Sequence, residues 1–230
     1  GVKNGINFNR KKNFVGAFAP PFAVVNDFSF LDTLPDVHLR NGYIEAIKVA
    51  LIRDTAFFDW IEENADALNA FDRSAMEELI HRCAEHHVAH IATSGDPFEM
   101  GSVRPLDFGH WAAHKLEQLS GFTLSHGEAV AIGIAIDTLY SEEMGYLNAS
   151  SAGRILALLK NLNFEIYSEH LERKNGSRFP YVLEGLEEFR EHLGGLLTIT
   201  LLKRVGSRFE VHEMDTDVVL RSLERLKKLG

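Results

Sequence analysis

The sequence predicts a mainly α-helical protein with a few short strands. Apolar residues recur at helical spacing through most of the 230-residue chain, and most of these runs follow a residue that can cap a helix. Segments that alternate β-branched residues are short and few. None of the 18 glycines forms a G-x-G. The sequence therefore lacks the dinucleotide fingerprint G-x-G-x-x-G, and it also lacks the phosphate-binding G-x-x-x-x-G-K and the G-x-S-x-G elbow.

The predicted elements of the first half are mainly helices that follow an irregular start. Residues 1–21 are rich in Gly, Asn and Lys and end in two prolines, which is typical of a loop. A short strand is predicted over Phe22–Val25, and a turn or short helix over Ser29–Leu34. The helices expected next are Val37–Ile52 behind Asp36, one from Asp54 or Thr55 through Leu68, one from Asp72 or Ser74 to about Ala92, and Pro105–Leu119.

The second half is predicted to contain the central helix of the protein. The segment His126–Met144 is apolar nearly all round, which indicates a buried helix. Further helices are expected over Ala149–Leu162, over Tyr181–Arg190 and, behind Asp215, at the C-terminus. Leu196–Leu202 and Phe209–His212 are expected to pair as a hairpin around Gly206.

Composition excludes several classes of protein. Hydrophobic residues are 45% and charged residues 25% of the chain, which excludes wholesale disorder. The formal net charge of −9 argues against nucleic-acid binding, and the single cysteine, Cys83, excludes an internal disulfide. No apolar run approaches the ~20 residues of a membrane span, and no signal peptide is evident, so we expect a cytoplasmic protein without a membrane partner. The chain begins without Met, in what reads as a loop.

Histidine is abundant, with eleven residues against one cysteine, so a metal site would be built from His and carboxylate. His110 and His114 are four residues apart and share a helix face, with Asp107 one turn earlier and His126 sixteen residues beyond His110. This grouping predicts a divalent metal, with a catalytic role if one coordination position stays open. The spacing H-x-x-x-H alone is weak, because a chain with many histidines contains it by chance.

Two further segments carry charge that could serve a site. Glu45 and Lys48 share a helix face as either a surface ion pair or an inward-pointing pair beside Ile44 and Leu51. Lys3, Lys11, Lys12 and Asn13 lie in a segment of Gly and Asn, where they could hold a phosphate or form a solvated basic tail.

Five segments, in order, resemble the 3-dehydroquinate synthase family of the sugar phosphate cyclases. They are GVKNGINFNRKKNFVGAF, FLDTLP, GYIEAIK, RPLDFGHWAAH and HGEAVAIG. The resemblance implies the orthogonal helical bundle of that family's α domain, with the N-terminal nucleotide-binding domain absent from this chain. Residues 1–35 would be an inter-domain loop and strand segment, and residues 36–230 the helical metal-binding domain.

The resemblance also implies a set of site residues. The ligands of a catalytic Zn²⁺ or Co²⁺ would be Glu45, His110 and His126. Substrate contacts would be Lys48, Arg104, Asp107, His114 and Asn13, of which His114 and Asn13 face the phosphate. The residues facing NAD would be Lys3, Lys12, Phe30, Leu31, Asp32 and Thr33.

The implied activity is that of a carbon–oxygen lyase of the shikimate pathway, which leads to aromatic amino acids. In the family, bound NAD transiently oxidises a seven-carbon sugar phosphate, phosphate is eliminated, the ketone is reduced again, and an aldol step closes a carbocycle. The resemblance implies a homodimer for the full-length enzyme. The 230-residue chain alone is expected to be inactive, because half of the NAD site would be missing.

Departures from the family pattern leave the substrate and the activity open. Asp107 replaces the usual Asn, a lysine expected near His90 is absent, and the D-K-K near the C-terminal hairpin is replaced by residues around Phe189–Gly195. Arg104 favours a substrate carboxylate, whereas the lost lysines favour sedoheptulose 7-phosphate, as in the epi-valiolone synthases. Two further candidates are a metal-dependent alcohol or glycerol dehydrogenase and a non-catalytic helical metal-binding module.

Overall fold

The computed structural model describes residues 3–8, 11–19, 22–93, 105–174, 176, 179–192 and 194–230. The described chain is mainly helical, as predicted. Its helices are α1 (Asp36–Arg53), α2 (Thr55–Glu63), α3 (Ala65–Asn69), α4 (Arg73–Thr93), α5 (His110–Leu119), α6 (His126–Glu143), α7 (Ala149–Asn161), α8 (Glu184–His192) and α9 (Thr216–Leu229). Within these residues, no helix is long and apolar enough to cross a bilayer.

Helix α6 is the centre of the fold, which confirms the prediction from its apolar sequence. Nearly all of its residues are buried, and it packs against α1, α5, α7 and α9. Its first turn is closed by a capping box, in which the Ser125 hydroxyl and the Glu128 carboxylate each bond the other's backbone N–H. This cap fixes the point at which α6 begins, and that point is His126.

The C-terminal hairpin supports α1. Strands β3 (Ile199–Arg204) and β4 (Ser207–Val211) pair antiparallel, as predicted. At their turn, the Gly206 N–H donates to the Leu51 carbonyl at 2.8 Å, and the Thr55 hydroxyl donates to the Val205 carbonyl at 2.9 Å. The hairpin therefore holds the junction between α1 and α2.

Two expectations for the first residues are wrong. The segment predicted as loop forms an antiparallel hairpin, β1 (Lys3–Phe8) with β2 (Lys11–Phe18), in which Gly5 lies opposite Gly16. Pairing between neighbouring segments outweighs the low strand propensity of Gly and Asn. Phe22–Val25 is not a strand, because the segment is exposed and pairs with no neighbour among the described residues. The expected turn after it is a 3₁₀ turn over Phe28–Thr33.

Two helices start later than predicted. The expected helix Pro105–Leu119 is a 3₁₀ turn over Pro105–Asp107 followed by α5, and Tyr181–Arg190 likewise begins with a 3₁₀ turn before α8. The break before α5 lies at Gly109, whose φ of +79° is left-handed and interrupts a helix. His110 is therefore the first residue of α5 and not a mid-helix residue.

The start of α5 touches α6 backbone to backbone. A Cβ at Gly133 would lie 1.9 Å from the Gly109 carbonyl oxygen, and a Cβ at Gly109 would lie 2.7 Å from the Ile134 nitrogen. Glycine at both positions is what allows this approach. The contact places His110 against the N-terminal half of α6.

A carboxylate of α6 also bonds this crossing. Asp137 is fully buried, and its two oxygens accept from the Gly109 N–H at 3.0 Å and from the Trp111 indole N–H at 2.8 Å. Burial raises the pKa of Asp137 to about 7, although both hydrogen bonds act in the opposite direction. The carboxyl is therefore costly to ionise in the folded protein.

This raised pKa gives a prediction for stability against pH. The folded state holds the Asp137 proton up to about pH 7, whereas the unfolded chain releases it near pH ~3.9, so this group's contribution to stability falls as pH rises between those values. We expect the unfolding free energy of wild type, minus that of Asp137→Asn, to fall from pH 5 to pH 8 by on the order of 1 kcal/mol or more. Urea unfolding of both metal-free proteins measures it, and a constant difference would contradict the prediction.

Candidate metal centre

Three side chains from three helices converge at one end of α6. Glu45 lies in the middle of α1, whereas His110 and His126 are the first residues of α5 and α6. One ligand atom of each lies within 4.8 Å of the others. A single ion at the centre of such a triangle could reach all three. The structure thus brings together the residues predicted as metal ligands, and the assignment itself stays a prediction.

Both histidines are oriented by an acceptor at Nδ1. The His110 Nδ1 lies 3.1 Å from the Phe108 carbonyl, and the His126 Nδ1 lies 3.2 Å from a Glu117 carboxylate oxygen. Because these acceptors require a proton on Nδ1, the lone pair of each ring is on Nε2. A metal-binding imidazole in proteins is commonly fixed in this way. The donor set therefore fits a divalent metal.

Burial keeps His110 neutral. Desolvation, followed by the nearby positive charge of Lys48, lowers the pKa of His110 to about 2. A neutral imidazole is the form that binds a metal, so no proton has to leave this ring at neutral pH.

In the Glu45–Lys48 ion pair, the lysine side chain is buried and the glutamate side chain is exposed. The Lys48 ammonium lies 2.7 Å from a Glu45 oxygen; the lysine side chain is 3% exposed, whereas that of Glu45 is 49% exposed. This geometry is intermediate between the surface pair and the inward-pointing pair that the sequence left open. Lys48 brings a buried positive charge to the edge of the candidate metal centre.

His114 completes a cluster of three imidazoles. Its ring centroid lies 5.5 Å from that of His110, 6.0 Å from that of His126 and 6.4 Å from that of Phe189 in α8. His114, Glu117 and His126 form a second group with ligand atoms within 4.8 Å. Because Glu117 already bonds the Nδ1 of His126, the geometry favours Glu117 as an orienting partner.

Glu117 is a site residue that the sequence reasoning missed. The available signal was its position on α5, three residues after His114 and seven after His110, which puts all three on one helix face. Cys83 is partly buried and packs against the hydrophobic core: burial, followed by the Glu45 charge, raises the pKa of its thiol to about 12.

The remaining predicted site residues lie outside this group. Asp107 is half-buried in the 3₁₀ turn just before it. Phe30, Leu31 and Thr33 line a groove with Ile80 of α4, and Asp32 pairs with Arg73 at 2.5 Å. Arg104 falls outside the described residues. For three more, only the strand backbone is described: Lys3, Lys12 and Asn13.

The Glu117 contact predicts a loss of metal affinity in Glu117→Gln. The amide oxygen still accepts from the His126 Nδ1 but carries no charge, so the ring becomes a weaker donor. We expect zinc to bind ~10-fold more weakly, measured by competition with a chromophoric chelator. Glu63→Gln, at an exposed position of α2, is the matched control. Equal affinity of the two variants would contradict the orienting role.

The family comparisons cover most of the sequence. The family model described as "3-dehydroquinate synthase C-terminal" matches residues 42–179, and "3-dehydroquinate synthase N-terminal" matches residues 1–41. Two curated relatives named 3-dehydroquinate synthase are 34% identical over 226 residues (Nitrosococcus oceani) and 37% identical over 213 residues (Nitrosospira multiformis). These alignments cover 98% and 92% of this chain but 61% and 56% of the relatives, so the chain spans about three fifths of their length.

Solved structures agree on the fold. ValA, a 2-epi-5-epi-valiolone synthase from Streptomyces hygroscopicus subsp. jinggangensis 5008 solved with NAD⁺ and Zn²⁺ bound, matches with a TM-score of 0.85 and 26% identity, over 100% of this chain and 62% of that one. A 2-deoxy-scyllo-inosose synthase complexed with carbaglucose-6-phosphate, NAD⁺ and Co²⁺ matches with a TM-score of 0.71 and 19% identity, over 99% of this chain and 62% of that one. Because the C-terminal family model covers more than half of the sequence, the chain belongs to the 3-dehydroquinate synthase family.

Proposed function

We propose that this chain is the metal-bearing helical part of a sugar phosphate cyclase of the 3-dehydroquinate synthase type, a carbon–oxygen lyase. The observation that carries the proposal is the convergence of Glu45, His110 and His126, with the Nδ1 of each histidine already bound to an acceptor. A dehydrogenase or a non-catalytic module would not need the buried Lys48 beside this group. The names of the family and of its relatives support the same activity.

Glu45, His110 and His126 are proposed to hold the metal, with Zn²⁺ or Co²⁺ as candidates. A site of two histidines and one carboxylate is a donor set that zinc takes in catalytic sites. When bound, the ion would stabilise alkoxide charge on substrate hydroxyls, and NAD would accept and return a hydride. ValA, solved with NAD⁺ and Zn²⁺, supports this choice of cofactors.

The chain's own side chains would bind and orient the substrate. Lys48 carries three donors on a buried ammonium and could hold a substrate oxygen beside the metal ligands. His114 lies beside both histidines of the candidate metal centre, and the family resemblance gives it a contact to the departing phosphate. The remaining proposed contacts depend on the family resemblance: Arg104, Asp107 and Asn13 for the substrate, and Lys3, Lys12 and Phe30–Thr33 for NAD.

We favour the dehydroquinate reaction, with a 3-deoxy-heptulosonate 7-phosphate as substrate and the shikimate pathway as its setting. The names of the curated relatives support it. Sedoheptulose 7-phosphate is the second candidate, favoured by the likeness to ValA and by the missing lysine near His90 and the missing D-K-K.

The proposed organisation has residues 1–35 as a connecting segment and residues 36–230 as the helical metal-binding domain. The exposed Phe22, Val24, Val25 and Phe30 support the first part, because a connecting segment would be covered by a neighbouring domain. A homodimer is proposed for the full-length enzyme from the resemblance, and a cytoplasmic location from the single cysteine, which fits a reducing compartment.

The test offers both sugar phosphates to the full-length enzyme with NAD and zinc, and identifies the cyclised product by mass. We expect dehydroquinate from the first substrate, and no turnover by the 230-residue chain alone. Cyclisation of sedoheptulose 7-phosphate only would transfer the assignment to the second candidate. Turnover of neither, by an enzyme that binds zinc, would refute the cyclase proposal.

A further inference from the structure

Asp137 is a buried carboxylate in the middle of α6 that no metal ligand touches directly. It is 0% exposed, and none of the described Lys or Arg side chains forms an ion pair with it. A lone carboxylate in a helical core is costly, because desolvation opposes its charge. Its two accepted hydrogen bonds come from Gly109 and Trp111, the residues on either side of His110.

One of these bonds continues to the His110 ring. The Gly109 N–H and the Phe108 C=O belong to the same peptide group. The N–H of that group donates to Asp137 at 3.0 Å, and its carbonyl accepts from the His110 Nδ1 at 3.1 Å. The three groups form a continuous chain of hydrogen bonds, carboxylate to peptide to imidazole. In such chains each bond polarises the next.

We propose that Asp137 is a positioning residue for His110, which acts through the Phe108–Gly109 peptide group to set the orientation and donor strength of the imidazole toward a bound metal. His126 has the same support without an intermediary, because the Glu117 carboxylate bonds its Nδ1 directly. Each histidine of the candidate metal centre is then oriented by a carboxylate, His126 directly by Glu117 and His110 through a peptide group by Asp137. The inference rests on the proposed metal site.

The competing explanation is that Asp137 only holds α5 and α6 together. Its two hydrogen bonds distinguish this explanation from a role in positioning His110. The bond to Trp111 ties the helices but does not reach the His110 ring, whereas the bond to Gly109 does both. Burial raises the pKa of Asp137 to about 7, so an ionised carboxylate at this position costs stability above that pH, and a structural tie alone does not explain it.

The test compares three variants in the 230-residue chain. The measurements are made at pH 8, where Asp137 is mostly ionised. Asp137→Asn keeps the side-chain size but removes the charge. Trp111→Phe removes the bond that does not reach the ring, together with part of the buried volume of the indole. Thr138→Val is the control, since Thr138 is buried next to Asp137 and its hydroxyl has no hydrogen-bond partner in the described part of the chain. Zinc affinity by chelator competition, the visible absorption of the Co²⁺ form and the melting temperature of the metal-free protein are measured for each.

We expect Asp137→Asn to weaken zinc binding ~10–100-fold and to alter the Co²⁺ spectrum. Trp111→Phe should lower the melting temperature but keep zinc affinity within ~3-fold of wild type. That is less than the ~10-fold or larger loss expected when a partner of a metal ligand is removed. Thr138→Val should change neither. Unchanged zinc affinity in Asp137→Asn, or equal losses of zinc affinity in Asp137→Asn and Trp111→Phe, would overturn the proposal.

A second measurement covers the case in which Asp137→Asn does not fold. In metal-free wild type, nitrogen-15 NMR should show His110 with its proton on Nδ1 and the Gly109 amide proton shifted downfield by the carboxylate. A His110 proton on Nε2 would overturn the proposal. Absence of zinc binding by wild type would instead refute the proposed function, so the two failures are distinguishable.

Discussion

Replacing Glu45 and His126 together by alanine is expected to abolish zinc binding. The two residues supply two of the three ligand atoms that lie within 4.8 Å, and no single remaining histidine can hold the ion. Wild type should bind about one zinc per chain. In the variant, the affinity should fall by far more than the ~100-fold typical of a lost supporting contact.

Elemental analysis after dialysis, together with chelator competition, measures this effect. The matched control is Glu63→Ala with His81→Ala, which removes the same residue types from exposed positions of α2 and α4. The fold of the metal-free Glu45→Ala, His126→Ala variant should be retained, because both side chains are at least partly exposed. Equal zinc content in wild type and this variant would refute the candidate metal centre.

Gly133→Ala is expected to destabilise the protein by at least ~3 kcal/mol. The new methyl group would lie 1.9 Å from the Gly109 carbonyl oxygen, and neither backbone can move without disturbing the crossing of α5 and α6. For a chain of this size, such a change lowers the melting temperature by roughly 6–12 °C. Zinc affinity should fall as well, because His110 follows Gly109 directly.

Gly153→Ala is the matched control for that variant. Gly153 also lies within a helix, α7, but it is exposed, and nothing lies within 4 Å of the position its Cβ would take. There the substitution should stabilise the protein by ~0.5–1 kcal/mol, because alanine is the better helix former. Thermal unfolding of the two variants in parallel decides the point. A similar melting temperature for both would mean that the close crossing does not exist.

Site residues that lie within or near a sequence motif could be predicted. Site residues that approach the motif only in the folded structure could not. Glu45, His110 and His126 lie inside segments that carry the family resemblance. Glu117 shares a helix face with His110 and could have been found from the spacing. Asp137 could not, because its role depends on the approach of Gly109 to Gly133, which only the packed helices create.

Errors in the fold have a similar cause. The apolar sequence of α6 is a strong local signal, so its central position could be predicted. The hairpin of β1 and β2 depends on pairing between backbones, to which a composition of Gly, Asn and Lys gives little clue. The late start of α5 depends on the left-handed conformation of Gly109, which the sequence G-H does not specify.

The hydrogen bonds between the turn of the C-terminal hairpin and the end of α1 determine how much of the chain unfolds cooperatively. The C-terminal family match ends at residue 179, but the turn of the hairpin bonds Leu51 and Thr55, and α9 covers a flank of α6. A chain cut at residue 179 would leave apolar surface of α6 in water and free the end of the helix that carries Glu45 and Lys48. Residues 180–230 should therefore unfold together with the candidate metal centre in a single transition, and the boundary of the family match is not a boundary of folding.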